Sequence, residues 1–402
     1  MNCIEHHCQG ESHKLNNKPC QDCAYAESAE RLSMAIVCDG HGGERYFRSQ
    51  YGAQFAMEIT KNAIREFVSN MADSTLTASK GKSVFYGAPF TSYSAAMATD
   101  EQINSRAHKS LMWLFSSIIS QWNAKIAEHA RLTDLTDWEL GNVEEKYQEE
   151  FLSKRKKNDG QKDDATFENT YGCTLMAYVQ TPDYWFAFHL GDGKCVSMRV
   201  VDEHLVCEQP IPWDERCFLN KTTSLCDSNA LEKFRYCYQG NGQFPIAVFL
   251  GSDGMDDSYG DGNNLYNFYI QLFKIIIRNG AERAHKELVK YLPVISKIGS
   301  KDDMSVACVY NDSNLPETFF QLTAYQKDVF NSELNKVEDK ILSLEKKIAD
   351  AGGNTESMDN SERINYEYAL NDLDKAKNKK TMLVRKRSAV KGEESKFRNR
   401  RY

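Results

Sequence analysis

Three short apolar runs each end at an aspartate beside a glycine or serine, a fourth begins just after an aspartate pair, and no other feature of the chain restricts its fold more. Met34-Ala-Ile-Val-Cys38 leads into Asp39-Gly40-His41-Gly42-Gly43, Tyr184 to Leu190 into Gly191-Asp192-Gly193, and Ile246 to Leu250 into Gly251-Ser252-Asp253-Gly254. A fourth site, Asp302-Asp303, stands just before Met304 to Tyr310. Runs this short and this apolar read as strands buried within a sheet. One Asp-Gly at a strand end is an ordinary turn; its recurrence is what indicates a site. Carboxylates gathered at one sheet edge repel one another unless cations sit between them, and an oxygen-only donor set points to Mg²⁺ or Mn²⁺ rather than zinc. Glycines allow a close backbone approach, and His41 adds a group that exchanges protons near neutral pH.

In chain order, two strands precede Asp39, separated by the polar stretch Gly10 to Asp22, closed by Pro19, which brings Asp22 toward the same carboxylates. Tyr46, Phe47, Tyr51, Phe55, Met57 and Ile59 recur at helical spacing through about Val68. Residues 71–94 lack a pattern and read as a loop or insertion. Leu111, Leu114, Phe115, Ile118, Ile119, Trp122 and Ile126 predict a second long helix, with His129 at its boundary. Leu135 to Lys157 is charged and weakly helical, and the run from Lys154 to Asp164 reads as a solvated connection. A hairpin is expected across Gln180 to Asp183, with strands continuing to about Cys207. Helices are expected over 264–277 and 282–292, and a last strand over 304–310.

At 402 residues the chain can bury a large core. A net charge of −7 argues against general nucleic-acid affinity. The start, Met1-Asn-Cys-Ile-Glu-His6, lacks the character of a signal peptide, and the richest apolar run, Phe268 to Ile277, is interrupted by Gln271 and Lys274, so no membrane span is expected. Twelve scattered cysteines suit a reducing cytoplasm. Cys3, Cys8, Cys20 and Cys23, with His6 and His7 nearby, contain only one zinc-like pair, Cys20-Gln-Asp-Cys23, and are expected to be buried free thiols.

Taken together and in order, Asp39-Gly40-His41-Gly42-Gly43, Gly172-Cys-Thr-Leu175, Gly191-Asp192-Gly193, Ser252-Asp253-Gly254 and Ser300-Lys-Asp302-Asp303-Met-Ser305 resemble the successive motifs of the metal-dependent serine/threonine protein phosphatases, the protein phosphatase 2C family. The opening Gly10-x-Ser-His-x5-Pro-Cys-Gln-Asp22 resembles the version in bacterial members, and the likeness covers roughly residues 1–312. The resemblance implies an α+β fold: a four-layer α-β-β-α sandwich of two antiparallel sheets flanked by helices, with the metals at one end. It implies that Asp39 bridges two ions, that the Gly40 carbonyl binds one of them, that Asp253 and Asp302 complete the other, that Asp192 belongs to a third, weaker position, and that Asp22 is an outer carboxylate. His41 matches the residue that protonates the leaving group. The cofactor implied is Mn²⁺ or Mg²⁺ and the substrate a phosphoprotein. Two positions depart from the pattern. Asp303 stands where asparagine is common, and Asn17 where many members have a phosphate-gripping arginine; His13, Lys14 and Lys18 are the candidate replacements.

This set suits ester hydrolysis: two divalent ions make hydroxide from water and neutralise the phosphoryl group, and His41 supplies the leaving group's proton. No cysteine-nucleophile motif and no nucleotide phosphate-binding loop is present. Domain limits of 1–315 and 320–402 follow, residues 70–165 forming a helical region with an insertion. The second part carries Phe330, Leu334, Val337, Ile341, Leu344 and Ile348 as a coiled-coil seam, a stop at Gly352-Gly353-Asn354, and a second helix with Tyr366, Leu370, Leu373, Leu383 and Val384, which together predict an antiparallel hairpin with arms of about 40 Å. That hairpin either packs on the catalytic portion or docks another protein, and its basic end reads as a solvated tail. The rival readings are a scaffold built on a phosphatase fold with little activity and, more weakly, a metal-dependent phosphodiesterase.

Overall fold

The computed structural model describes residues 1–71, 74–87, 104–157, 168–211, 213–218, 221–260, 262–351 and 359–399. It divides into one unit of Met1–Val200 with Cys207–Asn314 and another of Val201–Val206 with Leu315–Tyr402.

The strands are β1 (Asn2–Cys8), β2 (Cys23–Ser28), β3 (Ser33–Cys38), β4 (Val84–Tyr86), β5 (Leu175–Gln180), β6 (Tyr184–Leu190), β7 (Lys194–Val201), β8 (His204–Glu208), β9 (Arg235–Gly240), β10 (Ala247–Gly251) and β11 (Met304–Tyr310). They form two sheets, ordered β1-β11-β10-β7-β8 and β2-β3-β5-β6-β9-β4. Strand alternation divides their side chains between two environments. Ala35 and Val37 of β3, with Met176, Tyr178, Trp185 and Ala187, face Val248, Leu250, Ala307 and Val309 in the layer between the sheets. Met34, Ile36 and Cys38, with Phe186 and Phe188, turn outward to Leu111, Phe115 and Trp122 of the helix Arg106–Leu132. On the opposite side Phe249 stacks on Tyr269, ring centroids 4.7 Å apart, and Phe273 packs against Tyr310. The expected four-layer sandwich of antiparallel sheets flanked by helices is therefore present.

Register brings the motif-bearing strand ends together. Cys8 pairs with Met304, and Gly251 with both Val306 and Lys194. In the other sheet Cys23 pairs with Cys38, Val37 with Met176 and Leu175 with Leu190. The connections carrying Asp22, Asp39, Asp192, Asp253 and Asp302 consequently leave from one end of each sheet.

Several local expectations change. Glu11–Leu15 forms a short helix inside the expected loop. The helix Ser49–Asn70 buries Gly52, Ala53, Ala56, Thr60 and Ala63, whereas the larger residues Tyr51, Phe55, Met57 and Ile59 are only partly covered. The small face is needed because Trp122 Nε1 donates to the Gly52 carbonyl at 2.9 Å and a Cβ on Gly52 would lie 1.8 Å from the Tyr171 carbonyl oxygen. Within the patternless stretch, Val84–Tyr86 is an edge strand, with Phe85 opposite Cys237 on β9; residues 88–94 of that stretch lie outside the described residues. Part of the charged run after Lys157 lies outside them as well. The helix expected to stop at Leu292 runs Ala281–Ile298 through Pro293, held by the buried Leu292 and Ser296 on either side. Arg48, fully buried, binds Glu139 through Nε at 2.6 Å and Nη2 at 3.1 Å and reaches Tyr171 Oη at 3.1 Å, which anchors the charged segment that begins at Leu135.

In the second unit the helices Leu315–Asp350 and Asn360–Asn399 run antiparallel. At 36 and 40 residues they exceed the expected length, measuring about 54 and about 60 Å at 1.5 Å per residue. Phe330, Leu334, Val337 and Ile341 meet Ala376, Leu383 and Val390. Leu370 and Val384, expected in the seam, are exposed. Phe319 stacks on Phe397 with centroids 3.9 Å apart, and pairs such as Lys377–Glu345 and Lys380–Glu338 fix the antiparallel sense. The expected stop at Gly352-Gly353-Asn354 lies outside the described residues. Among the described residues no helix is long and apolar enough to cross a membrane.

Candidate active site

Asp39 leaves the end of β3 with its backbone held from both sides. Its N–H donates to Thr174 Oγ1 at 3.1 Å, and its carbonyl accepts the Thr174 N–H at 2.7 Å. Gly40 N–H donates to the Gln21 carbonyl, and His41 N–H to the Gly172 carbonyl, both at 3.1 Å. Residues 172–174 thus run alongside 39–41 as a short extra ribbon, bridged between Gly40 and Cys173. Gly172 is required there: a Cβ would stand 2.7 Å from His41 Cδ2 and 2.9 Å from Cys226 Sγ.

Asp253 opens the helix Asp253–Tyr259, where its charge meets the positive end of the backbone dipole. The next residue, Gly254, lies so close to the start of β11 that a Cβ would stand 2.0 Å from the Asp303 carbonyl oxygen. Asp253 and Asp39 lie near enough for each to act on the other's titration. Asp22 accepts from Ser305 Oγ at 2.8 Å. Asp302, exposed, has its carbonyl held by Ser296 Oγ at 2.9 Å. Asp192 follows Gly191, whose carbonyl accepts from the buried Arg235 guanidinium at 2.7 Å.

The electrostatics are those of crowded anions. Burial, then the charges of Asp22 and Asp253, hold Asp39 well above the usual carboxylate range. Burial raises Asp253 to about 7, with Asp192, Asp302 and Asp257 adding to it. Asp22 is likewise well above its ordinary value, first through burial and then through Asp303. Burial also raises Asp192, and Asp257 after it. Asp257 was not expected from the sequence; its signal was the four-residue spacing from Asp253, which puts both on one helix face. As the side chains stand, no group of three or more His, Cys, Asp or Glu among the described residues is arranged to hold a metal ion. What the edge provides is a set of hard oxygen donors whose charges are uncompensated.

Asp303 behaves differently. Its Oδ1 accepts the Gly10 N–H at 2.6 Å, its Oδ2 the Gln21 N–H at 2.5 Å, and His13 Nδ1 stands 2.9 Å from Oδ2. Burial opposes its charge, but the His13 imidazole and these backbone groups outweigh it and hold Asp303 below the usual range. His13 is therefore engaged with a carboxylate through Nδ1, while its Nε2 lies beside Gly42, 3.7 Å from where a Cβ would stand. Lys14 is exposed in an open depression of about 620 Å³ that Asn17, Lys18, Tyr51 and Trp138 also line. Of the three candidate cations it is Lys18 whose Nζ reaches the glycine loop, donating to the Gly42 carbonyl at 2.9 Å.

His41 packs edge-on against Tyr46, and its Nε2 lies 2.7 Å from Ser224 Oγ. Burial pushes its pKa down to about 4, so the free imidazole is neutral at pH 7. A phosphate dianion beside it would draw that value upward, as an acid role requires. Ser224 had no sequence signal beyond its place in Thr222-Thr-Ser-Leu225. All twelve cysteines are free, and Cys3, Cys8, Cys20 and Cys23 are half-buried rather than buried. Burial raises the Cys8 and Cys23 thiols to about 11, which leaves them protonated and poor metal ligands.

Residues 9–293 match a family model described as Protein phosphatase 2C. Among solved structures, the catalytic domain of the serine threonine protein phosphatase PstP in complex with 2 manganese ions is 14% identical with a TM-score of 0.41, over 77% of this chain and 98% of that one. Serine/threonine phosphatase Stp1 from Staphylococcus aureus is 12% identical with a TM-score of 0.41, over 77% of this chain and 95% of that one. The S. agalactiae serine/threonine phosphatase is 14% identical with a TM-score of 0.39, over 77% of this chain and 99% of that one. No curated protein matches the sequence.

Proposed function

The chain belongs to the protein phosphatase 2C family, and on that premise we propose that it hydrolyses phosphoserine and phosphothreonine esters in proteins with Mn²⁺ or Mg²⁺ as cofactor. The observation that carries this reading is the strand register that delivers Asp22, Asp39, Asp253 and Asp302 to one end of the two sheets, where burial and neighbouring carboxylates raise Asp22, Asp39 and Asp253. Half-buried acids crowded at a strand edge are a disfavoured arrangement without a cation, and divalent ions would offset their charge. Asp39, the Gly40 carbonyl, Asp253 and Asp302 would hold two such ions, with Asp22 behind them and Asp192 at a third position. When bound, ions of this kind lower the pKa of water and neutralise phosphoryl oxygens.

The chain's own residues do the rest. Thr174 and Gln21 fix the Asp39-Gly40 backbone from opposite sides, so the segment that would hold the ions does not need to be ordered by substrate. Lys18, with Lys14 in the adjoining depression, offers the positive charge that many family members draw from arginine where this chain has Asn17. His41, neutral in the free protein, would carry a proton for the departing serine oxygen once a bound phosphate dianion raises its pKa. The hairpin Leu315–Asp350 with Asn360–Asn399 is read as a docking arm for a protein partner. A cytoplasmic, bacterial protein is part of the same reading, supported by the twelve free cysteines and the Gly10 to Asp22 opening.

A second reading, a phosphatase-fold scaffold with little activity, is favoured by Asn17 standing where many family members have arginine. Hydrolysis of an aryl phosphate and a phosphoserine peptide with Mn²⁺ and with chelator, beside Asp39→Asn, separates the two. Metal-dependent turnover lost in Asp39→Asn supports the enzyme. Turnover indifferent to metal, or absent throughout, rejects it.

A further inference from the structure

We propose that Ser224 is a positioning residue that fixes which nitrogen of His41 carries hydrogen, leaving Nδ1 as the one that exchanges a proton with substrate. The inference rests on the reading of His41 as the group that serves the leaving oxygen. Ser224 is nearly inaccessible, with 2% of its surface exposed. Its Oγ lies 3.0 Å from the Cys173 carbonyl oxygen and 2.7 Å from His41 Nε2. A carbonyl only accepts, so the single hydroxyl hydrogen is spent on Cys173, and toward His41 the Ser224 oxygen accepts. Nε2 must then be the protonated nitrogen, and Nδ1 carries the lone pair.

The serine is itself held from three directions. Its backbone N–H donates to Asp227 Oδ2 at 2.8 Å, the neighbouring Leu225 N–H donates to the same Cys173 carbonyl at 3.0 Å, and the Cys226 thiol donates to Ser224 Oγ at 3.2 Å. Asp227 is anchored in turn by Lys233 Nζ at 2.9 Å. Cys173 belongs to the ribbon that pins Gly40, so the hydroxyl joins the imidazole to the backbone that also sets Asp39. With a phosphate dianion bound, a proton from solvent adds to the bare Nδ1 to give the imidazolium; in the transfer that Nδ1–H bond breaks, its electron pair stays on nitrogen, and an O–H bond forms on the departing alkoxide. Throughout, the Nε2–H bond to Ser224 keeps the ring from rotating.

The test uses the full chain, histidine-labelled with ¹⁵N and free of metal, in long-range ¹H–¹⁵N correlation spectra, with the His41 signals identified by their loss in His41→Gln. Wild type is expected to show Nε2 protonated and Nδ1 bare, Ser224→Ala a mixture of tautomers, and Ser224→Thr the wild-type pattern. In kinetics with Mn²⁺, Ser224→Ala is expected to lower kcat on a phosphoserine peptide by on the order of ten- to a hundred-fold at unchanged KM, to spare a nitrophenyl phosphate, and to be rescued by threonine. Should Ser224→Ala not fold, Ser224→Cys, whose thiol accepts poorly, takes its place. A wild-type spectrum with Nδ1 protonated, an alanine spectrum identical to wild type, or equal loss on both substrates overturns the proposal. Absence of turnover in wild type instead rejects the phosphatase reading, and the spectra still decide the tautomer.

Discussion

His13 Nδ1 lies 2.9 Å from Asp303 Oδ2, and through this pair the start of β11 is tied to the connection between β1 and β2. Because the same carboxylate takes the Gly10 and Gln21 N–H groups, one buried charge fixes both ends of the segment that carries Asp22. Asp303 is a depressed acid, so its stabilisation is complete above the unfolded carboxylate value and is lost as pH falls through the lower folded value. Asp303→Asn is therefore expected to flatten the acid limb of a Tm-against-pH curve. His13→Ala should cost about 3–5 kcal/mol in denaturant melts, since it leaves the partner charge buried. A His13→Ala cost no larger than that of an exposed histidine would show the pair to be incidental.

At the acidic edge the sign reverses. Burial raises Asp253 to about 7 and Asp39 in the same direction, so the stability these two acids contribute without metal is fully present below about pH 4 and falls as pH rises toward 7. Thermal melts in chelator should drop across that window, Asp253→Asn should remove most of the drop, and millimolar Mn²⁺ should restore wild type but not Asp39→Asn. A chelated protein with flat stability from pH 4 to 7 would contradict the crowding described here.

Replacing His41 by alanine is expected to slow phosphoserine-peptide hydrolysis by roughly 10²–10⁴-fold. An aryl phosphate, whose leaving group needs no proton, should be much less affected. Comparable losses on both would remove His41 from the acid role.

Gly172→Ala sets a methyl group 2.7 Å from His41 Cδ2 and 2.9 Å from Cys226 Sγ. The expected cost is about 1–3 kcal/mol of stability, with a fall in kcat larger than the change in KM because the imidazole is displaced. Gly254→Ala, pressing on the Asp303 carbonyl, should instead weaken Mn²⁺ binding in a calorimetric titration. Alanine at either position with wild-type kinetics and Mn²⁺ affinity would mean that the close approaches do not position the site.

The strands that carry the aspartates were legible because burial on both faces leaves continuous apolar runs, and β11 was read over its observed range, Met304–Tyr310. β9 was missed because its sequence, Arg235-Tyr-Cys-Tyr-Gln-Gly240, places Arg235 and Gln239 inside the protein, which no hydropathy pattern anticipates. The same blindness hid the Arg48–Glu139 pair, whose members look like surface charges until a partner 91 positions away is known. The buried face of the first half of Ser49–Asn70 was misjudged because close approach there selects glycine and alanine over bulk, whereas Ile64 and Phe67 bury bulk farther along. Lys18 and Ser224 were weakly marked or unmarked for a related reason: a single side chain meeting a distant loop leaves no periodic trace.

The placement of β11 between β1 and β10 has a temporal corollary. β1 is made first by the ribosome but has no neighbour in its sheet until residues 304–310 arrive, and Asp302 arrives with them. A nascent chain that has emerged only as far as Asp253 holds most of its acidic groups yet cannot close the sheet that aligns them. Catalytic competence would then report on completed synthesis of the whole sandwich, and two fragments divided before Met304 would be candidates for complementation rather than for independent turnover.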